Sequence, residues 1–169
     1  RIFPVVVAEL AERYGDKPAL LSDRERFTYR ELDARANRYA RWALANGVKK
    51  GDVVCLLMMN RPEYMAIWLG ITRAGGVAAL LNTNLSGVSL GHCVAIVKAS
   101  HVIAGADLAD TYDVAAKSLA DAPQIWVHGP SPAGHQRIDE VIDTFDGGAI
   151  PEGERPALTV EDPALFIYT

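Results

Sequence analysis

The chain has 169 residues, half of them hydrophobic, and a net charge of −4. That length holds one domain with a real core. Nothing in that balance suggests a nucleic-acid partner, and the longest apolar runs are strand-length, too short to span a membrane as a helix. No signal-peptide pattern opens the chain, and because Arg1 is not a natural start a trimmed chain is expected.

Pro4 to Tyr14 is predicted as a short helix, with Val6, Leu10 and Tyr14 on one face and Gly15 as its stop. Ala19-Leu20-Leu21 reads as a strand, Ser22 to Arg26 as a charged turn, and Phe27 to Tyr29 as the returning strand. A helix follows from a capping box, Thr28 with Glu31, each side chain reaching the other's backbone N–H. Its buried stripe is Leu32, Ala36, Tyr39, Ala40 and Ala43, and Asn46-Gly47 ends it. Arg30, Arg35, Arg38 and Arg41 lie off that stripe. They read as a solvated face with Glu31–Arg35 support, in preference to an anionic ligand site.

Val53 to Met59 is unbroken apolar sequence. Alternation would suit a sheet with one wet face; a continuous run suits a parallel strand covered on both. Asn60-Arg61 turns the chain. Pro62 then stands at the first helical position, where its missing N–H costs nothing, and Glu63 puts negative charge at the positive end of the helix. Tyr64, Ile67, Trp68 and Ile71 form an apolar stripe, Gly75-Gly76 ends the helix, and Val77 to Leu81 is a second buried strand. This is a βαβ unit of roughly 30 residues, expected to cross over right-handed. The corner Asn82-Thr83-Asn84-Leu85 falls at the carboxyl end of the second strand, where open α/β sheets place ligand-facing loops. Side-chain amides there can hold local backbone, so a mainly structural role is expected of Asn82 and Asn84.

Beyond the corner, a helix is predicted over Val88 to Ala99 and a strand over His101 to Ala104. A weaker helix over Leu108 to Leu119 and a strand over Gln124 to Val127 come next. Gly129 to Gly134 reads as loop, Ile138 to Phe145 as a short helix, Gly147 to Asp162 as an exposed connector, and Leu165 to Tyr168 as a new buried strand. The repeated strand–helix alternation gives the fold class: α/β, with a parallel, helix-covered sheet.

Gly87-Val88-Ser89-Leu90-Gly91 matches the nucleophile-elbow pattern of α/β hydrolases. The elbow needs a strand running straight into the serine, and Asn82 to Ser86 intervenes, so Ser89 is expected in the first turn of a helix. His92, His101, His128 and His135 have no partners at metal-ligand spacing and read as packing or surface residues. Cys55 and Cys93 lie in apolar elements and read as free thiols rather than a disulfide. Asn84-Leu85-Ser86 fits a glycosylation site but lacks a secretory context. There is no glycine-rich dinucleotide fingerprint and no Walker-type lysine motif.

Three stretches together resemble the adenylate-forming acyl-CoA synthetase superfamily. They are Phe27 to Leu32 with Asn37; Gly51 to Val54 with Met59 to Glu63 and Ala74 to Val77; and Leu165 to Thr169. In that family the last stretch leads at once into a glycine-rich phosphate-gripping loop. Within the superfamily, Leu80 to Leu85 with Leu90 and His92-Cys93 is similar to the branch of fatty-acid transport proteins and very-long-chain acyl-CoA synthetases. Ser86 stands where that branch has a basic residue, and Gly91 precedes His92.

The resemblance implies that residues 1–169 are the N-terminal portion of the large adenylation (AMP-binding) domain, ending before the phosphate loop, with the C-terminal domain absent. It implies a long-chain or very-long-chain fatty-acyl-CoA ligase that uses ATP, magnesium (Mg) and coenzyme A. A carboxylate attacks the α-phosphate of ATP, releasing pyrophosphate, and the thiol of coenzyme A then displaces AMP. Of the family's motif only Tyr168 and Thr169 carry over, as cofactor-binding positions. No catalytic residue and no metal ligand is assigned, and the chain alone is expected to be inactive. The implied partners are fatty acid, ATP and coenzyme A, with no nucleic acid, in a cytoplasmic enzyme whose peripheral association with a membrane stays open. The alternatives are an aryl-CoA ligase or peptide-synthetase adenylation domain, a non-catalytic α/β binding module, and a hydrolase using Ser89.

Overall fold

A computed structural model describes residues 2–131 and 133–168 of the chain. Helix α1 (Phe3–Tyr14) precedes a hairpin, β1 (Pro18–Leu21) and β2 (Arg26–Thr28), that feeds α2 (Tyr29–Ala45). Then come β3 (Val53–Leu57), α3 (Pro62–Arg73), β4 (Val77–Leu80), α4 (Gly87–Ile96), β5 (His101–Gly105), α5 (Ala109–Ala116), β6 (Gln124–His128), β7 (Gln136–Arg137), α6 (Ile138–Val141) and β8 (Leu165–Ile167). Apart from the antiparallel β1–β2 hairpin, the strands form one six-stranded sheet in the order β7-β6-β5-β3-β4-β8, every neighbouring pair parallel.

The unbroken apolar run is explained by two cores. Val54, Leu56 and Met58 point to one face of the sheet, where α2 and α3 supply Tyr39, Trp42, Ile67 and Ile71. Val53, Cys55 and Leu57 point to the other, against Leu90 and Val94 of α4 and Tyr112 of α5. All five residues of β3 are buried, and each such Val or Leu contributes about 1.5–3 kcal/mol. The α2–α3 seam is tight enough to demand glycine: a Cβ on Gly70 would lie 2.3 Å from Tyr39 Cβ. Gly75, at φ +89°, closes α3 through Gly75 N–H to Thr72 O and Gly76 N–H to Ile71 O.

The capping box is formed: Glu31 N–H donates to Thr28 Oγ1 at 3.2 Å, and Thr28 N–H to Glu31 Oε2 at 2.8 Å. Other local expectations need correction. In α1 the inward residues are Pro4 and Val7, while Val6, Leu10 and Tyr14 are only half-buried, because α1 packs on neighbouring helices and not on the sheet. The returning strand is Arg26–Thr28, since Tyr29 already opens α2. Helix α5 is shorter than its predicted span, and the two-residue strand β7 lies in sequence with no strand signal.

The arginine row is the largest correction. Only Arg30 is a freely solvated member, paired with Asp16. Arg35 turns to Glu63 and Asp143 and not to Glu31, whose carboxylate is occupied by the cap. Arg38 donates to Phe145 O at 3.2 Å; Arg41 donates to the carbonyls of Asp146, Gly148 and Ala149. The row clasps the stretch that follows α6, a long-range docking that helical periodicity does not register.

Candidate functional site

In a parallel sheet all carboxyl ends share one rim. Strands β3 and β5 are adjacent, yet the chain leaves β3 for the α2–α3 face and leaves β5 for the α4–α5 face. Such a divergence opens a crevice between the two strand ends. A cavity of about 620 Å³ lies there, lined by Arg24, Met58, Arg61, Asp107 and His128 among others. A second, of about 290 Å³, continues past Met59 and Asn60 to Tyr64, Asn82 and Thr83.

The wall of this rim is anchored by a buried carboxylate. Glu63, in the first turn of α3, receives Arg35 Nε at 2.8 Å and the Tyr39 hydroxyl, and His128 Nε2 lies 3.5 Å away. Burial pushes the Glu63 carboxyl up, but the His128 hydrogen bond and the Arg35 charge outweigh it and hold it below its ordinary range. Burial, reinforced by the Glu63 charge, raises the Tyr39 hydroxyl well above its usual value. Glu25, from the hairpin turn, pairs with Arg61 and accepts Glu63 N–H at 3.3 Å, so the hairpin caps a helix whose own N-cap, Arg61, makes no side-chain cap. The sequence reading missed this cluster. Its signal was Tyr39 inside an apolar stripe, because a buried phenol needs a partner.

At the polar corner, Asn82 Oδ1 accepts Asn84 N–H at 2.9 Å, and Asn82 O accepts Leu85 N–H at 3.1 Å. Asn82 is therefore the residue that shapes the turn. Asn84 contributes its backbone, and among the described residues its side chain makes no hydrogen bond.

Tyr168 follows β8 at this rim, with its side chain turned inward. Its hydroxyl donates to Cys93 O at 2.7 Å, beneath α4 and next to Cys55. Thr169, the other position expected to bind cofactor, lies outside the described residues. Cys55 and Cys93 are free thiols, and burial together with Cys93 pushes the Cys55 thiol up to about 12. Ser89 is exposed within α4, with no strand leading into it, so it is not an elbow nucleophile. His101 is buried edge-on to Trp42, His135 pairs with Asp113 at 2.9 Å, and His92 is exposed. Among the described residues no three His, Cys, Asp or Glu side chains gather as a metal site, and no helix is long and apolar enough to cross a membrane.

Residues 7–169 match the family described as AMP-binding enzyme. The chain is 31% identical over 161 residues to long-chain fatty acid transport protein 6 of Homo sapiens, covering 94% of this chain and 26% of that protein. It is 37% identical over 166 residues to the medium/long-chain-fatty-acid–CoA ligase FadD6 of Mycobacterium tuberculosis, covering 97% and 26%. A benzoate CoA ligase from Burkholderia xenovorans LB400 superposes with a TM-score of 0.84 at 26% identity, over 96% of this chain and 32% of that one. The chain thus spans about a quarter of the length of the curated relatives it matches.

Proposed function

The chain belongs to the AMP-binding enzyme family, and from that premise we propose that it is the N-terminal portion of the adenylation domain of a carboxylate–CoA ligase acting on long-chain or very-long-chain fatty acids. The observation that carries the reading is the arrival of β8, parallel to β4, at the rim beside the Asn82–Leu85 corner. A parallel strand that ends at this rim is suited to deliver a backbone turn to phosphates, although β8 is an edge strand with Phe166 and Ile167 exposed and not the buried strand expected.

In the proposed reaction a carboxylate oxygen bonds to the α-phosphorus of ATP as the bond to the β-phosphate bridging oxygen breaks, and pyrophosphate leaves with the electron pair. The sulfur of coenzyme A then attacks the acyl carbon; the acyl–oxygen bond breaks, AMP leaves, and the thiol proton is released. This chain's contribution is placement: the rim, the crevice walls, and the approach through Tyr168. Residues 1–169 alone are proposed to be inactive, and the protein is proposed to be cytoplasmic or peripherally associated with a membrane.

Fatty acids are favoured over aryl acids by the Asn82-Thr83-Asn84-Leu85 and His92-Cys93 stretches, while the names of the curated relatives include both fatty-acid and hydroxybenzoate CoA ligases and do not decide. The likeness to a benzoate CoA ligase supports an aryl acid as the second reading. ATP–pyrophosphate exchange by the full-length protein, measured with palmitate, a very-long-chain acid and benzoate in parallel, decides between them. Exchange with benzoate alone rejects the fatty-acid reading, and exchange with none rejects the ligase.

A further inference from the structure

We propose that Tyr168 is a positioning residue: its hydroxyl latches the carboxyl end of β8 to α4 and so fixes where the chain leaves the sheet toward the phosphates of ATP. The latch stands on geometry; its consequence for ATP rests on the ligase reading above.

Strand β8 is poorly held by its own packing. It is three residues long, pairs only with β4, and has no strand on its outer edge among the described residues. Phe166 and Ile167 are 38% and 67% exposed. A short edge strand with exposed side chains frays readily. The next residue reverses this: the Tyr168 ring packs against the α4-side core, and its hydroxyl sits 2.7 Å from Cys93 O.

The acceptor is itself fixed. Cys93 lies in the last turn of α4, where carbonyls lack helical partners. Lys98, at φ +51°, closes that end through Lys98 N–H to Ala95 O at 3.0 Å and Ala99 N–H to Val94 O at 3.4 Å. Cys93 O is thus a rigid point on a closed helix end, and Tyr168 ties the edge strand to it. A side chain turned inward in this way acts on a ligand only through its backbone. Reactions that depend on placement are sensitive to errors of about an ångström.

An internal control exists. Tyr112 makes the same kind of bond, its hydroxyl to Pro123 O at 3.1 Å, but Pro123 precedes β6 and so sits at the opposite rim of the sheet. The test compares Tyr168→Phe with Tyr112→Phe in the full-length protein. Phe keeps the ring and its packing. The readouts are thermal stability, MgATP affinity by calorimetry, and KM for ATP and for carboxylate in pyrophosphate exchange. Tyr168→Phe is expected to raise Kd and KM for ATP about three- to tenfold, the factor set by one hydrogen bond, with KM for carboxylate unchanged. Tyr112→Phe is expected to lower thermal stability and leave ATP affinity alone. Unchanged ATP affinity in Tyr168→Phe, or equal weakening in both variants, overturns the latch. A wild-type protein that binds MgATP but exchanges with no carboxylate overturns the ligase reading alone, and the calorimetric comparison still decides the latch. A wild-type protein that does not bind MgATP overturns both.

Discussion

The Tyr39 hydroxyl donates to the Glu63 carboxylate inside the α2–α3 seam, where both residues are almost fully enclosed. Arg35 joins the pair from the preceding turn of α2 and carries the link on to Asp143. Removing one member of a buried charged pair leaves the other desolvated and unmatched, which costs about 3–5 kcal/mol. Glu63→Ala is therefore expected to lower unfolding stability by about that much, and Tyr39→Phe by about 1–2 kcal/mol, the cost of one hydrogen bond to a charged group. Urea unfolding of the full-length protein measures both. A Glu63→Ala loss no larger than that of Tyr39→Phe would show that the carboxylate is not the hub.

Acid stability follows from the same group. The folded Glu63 carboxyl lies below its ordinary value of 4.5, so the unfolded chain binds the proton more readily than the folded one. The contribution to stability is complete above the unfolded value and is lost as pH falls from there through the folded value. Unfolding followed from pH 7 down to pH 3 should show wild type losing more stability than Glu63→Gln below about pH 4.5. Parallel curves for the two proteins would contradict this assignment.

Legibility in the sequence tracked the range of the interactions. Val53 to Leu57, Val77 to Leu80 and the Thr28–Glu31 box were readable because run length, helical period and local capping are properties of adjacent residues. The arginine row was not. Arg38 and Arg41 find their acceptors more than 100 positions away, and no periodicity announces a partner at that distance. The Glu63 cluster failed for the same reason: α2, α3 and the end of β6 each supply a part. At the rim, the strand ends were legible from the alternation, but the inward turn of Tyr168 was not, since the residue just past a strand end carries no rule for where its side chain points.

The arginine row gives a second test of long-range docking. Arg41 donates to three carbonyls of the irregular stretch after α6, those of Asp146, Gly148 and Ala149. Arg41→Ala should leave α2 intact, because its capping and apolar stripe lie elsewhere. It should free residues 143–150, seen as faster amide exchange confined to that stretch, with a stability loss of about 1–2 kcal/mol. Uniformly faster exchange across α2 would mean that the arginine supports the helix and not the connector.

The corner after β4 separates two asparagines that sequence alone treats alike. Asn82 Oδ1 accepts Asn84 N–H at 2.9 Å, a side-chain turn that stands in for a backbone one. The turn brings the chain out of a buried strand and into α4, so its geometry is passed to the rim cavity that Asn82 and Thr83 line. Asn82→Ala removes the acceptor and leaves the Asn84 N–H to water, which at an exposed site costs about 0.5–1.5 kcal/mol. Asn84→Ala keeps the donor, because the donor is backbone, and removes only an exposed amide. The expected order is a measurable stability loss for Asn82→Ala and a change within about 0.5 kcal/mol for Asn84→Ala, with KM for ATP little altered in either. Asp at position 82 should restore most of the loss, since a carboxylate accepts the same N–H. A rise in KM for ATP in Asn84→Ala, with stability unchanged, would instead mark Asn84 as a ligand contact and reverse the roles assigned to the pair.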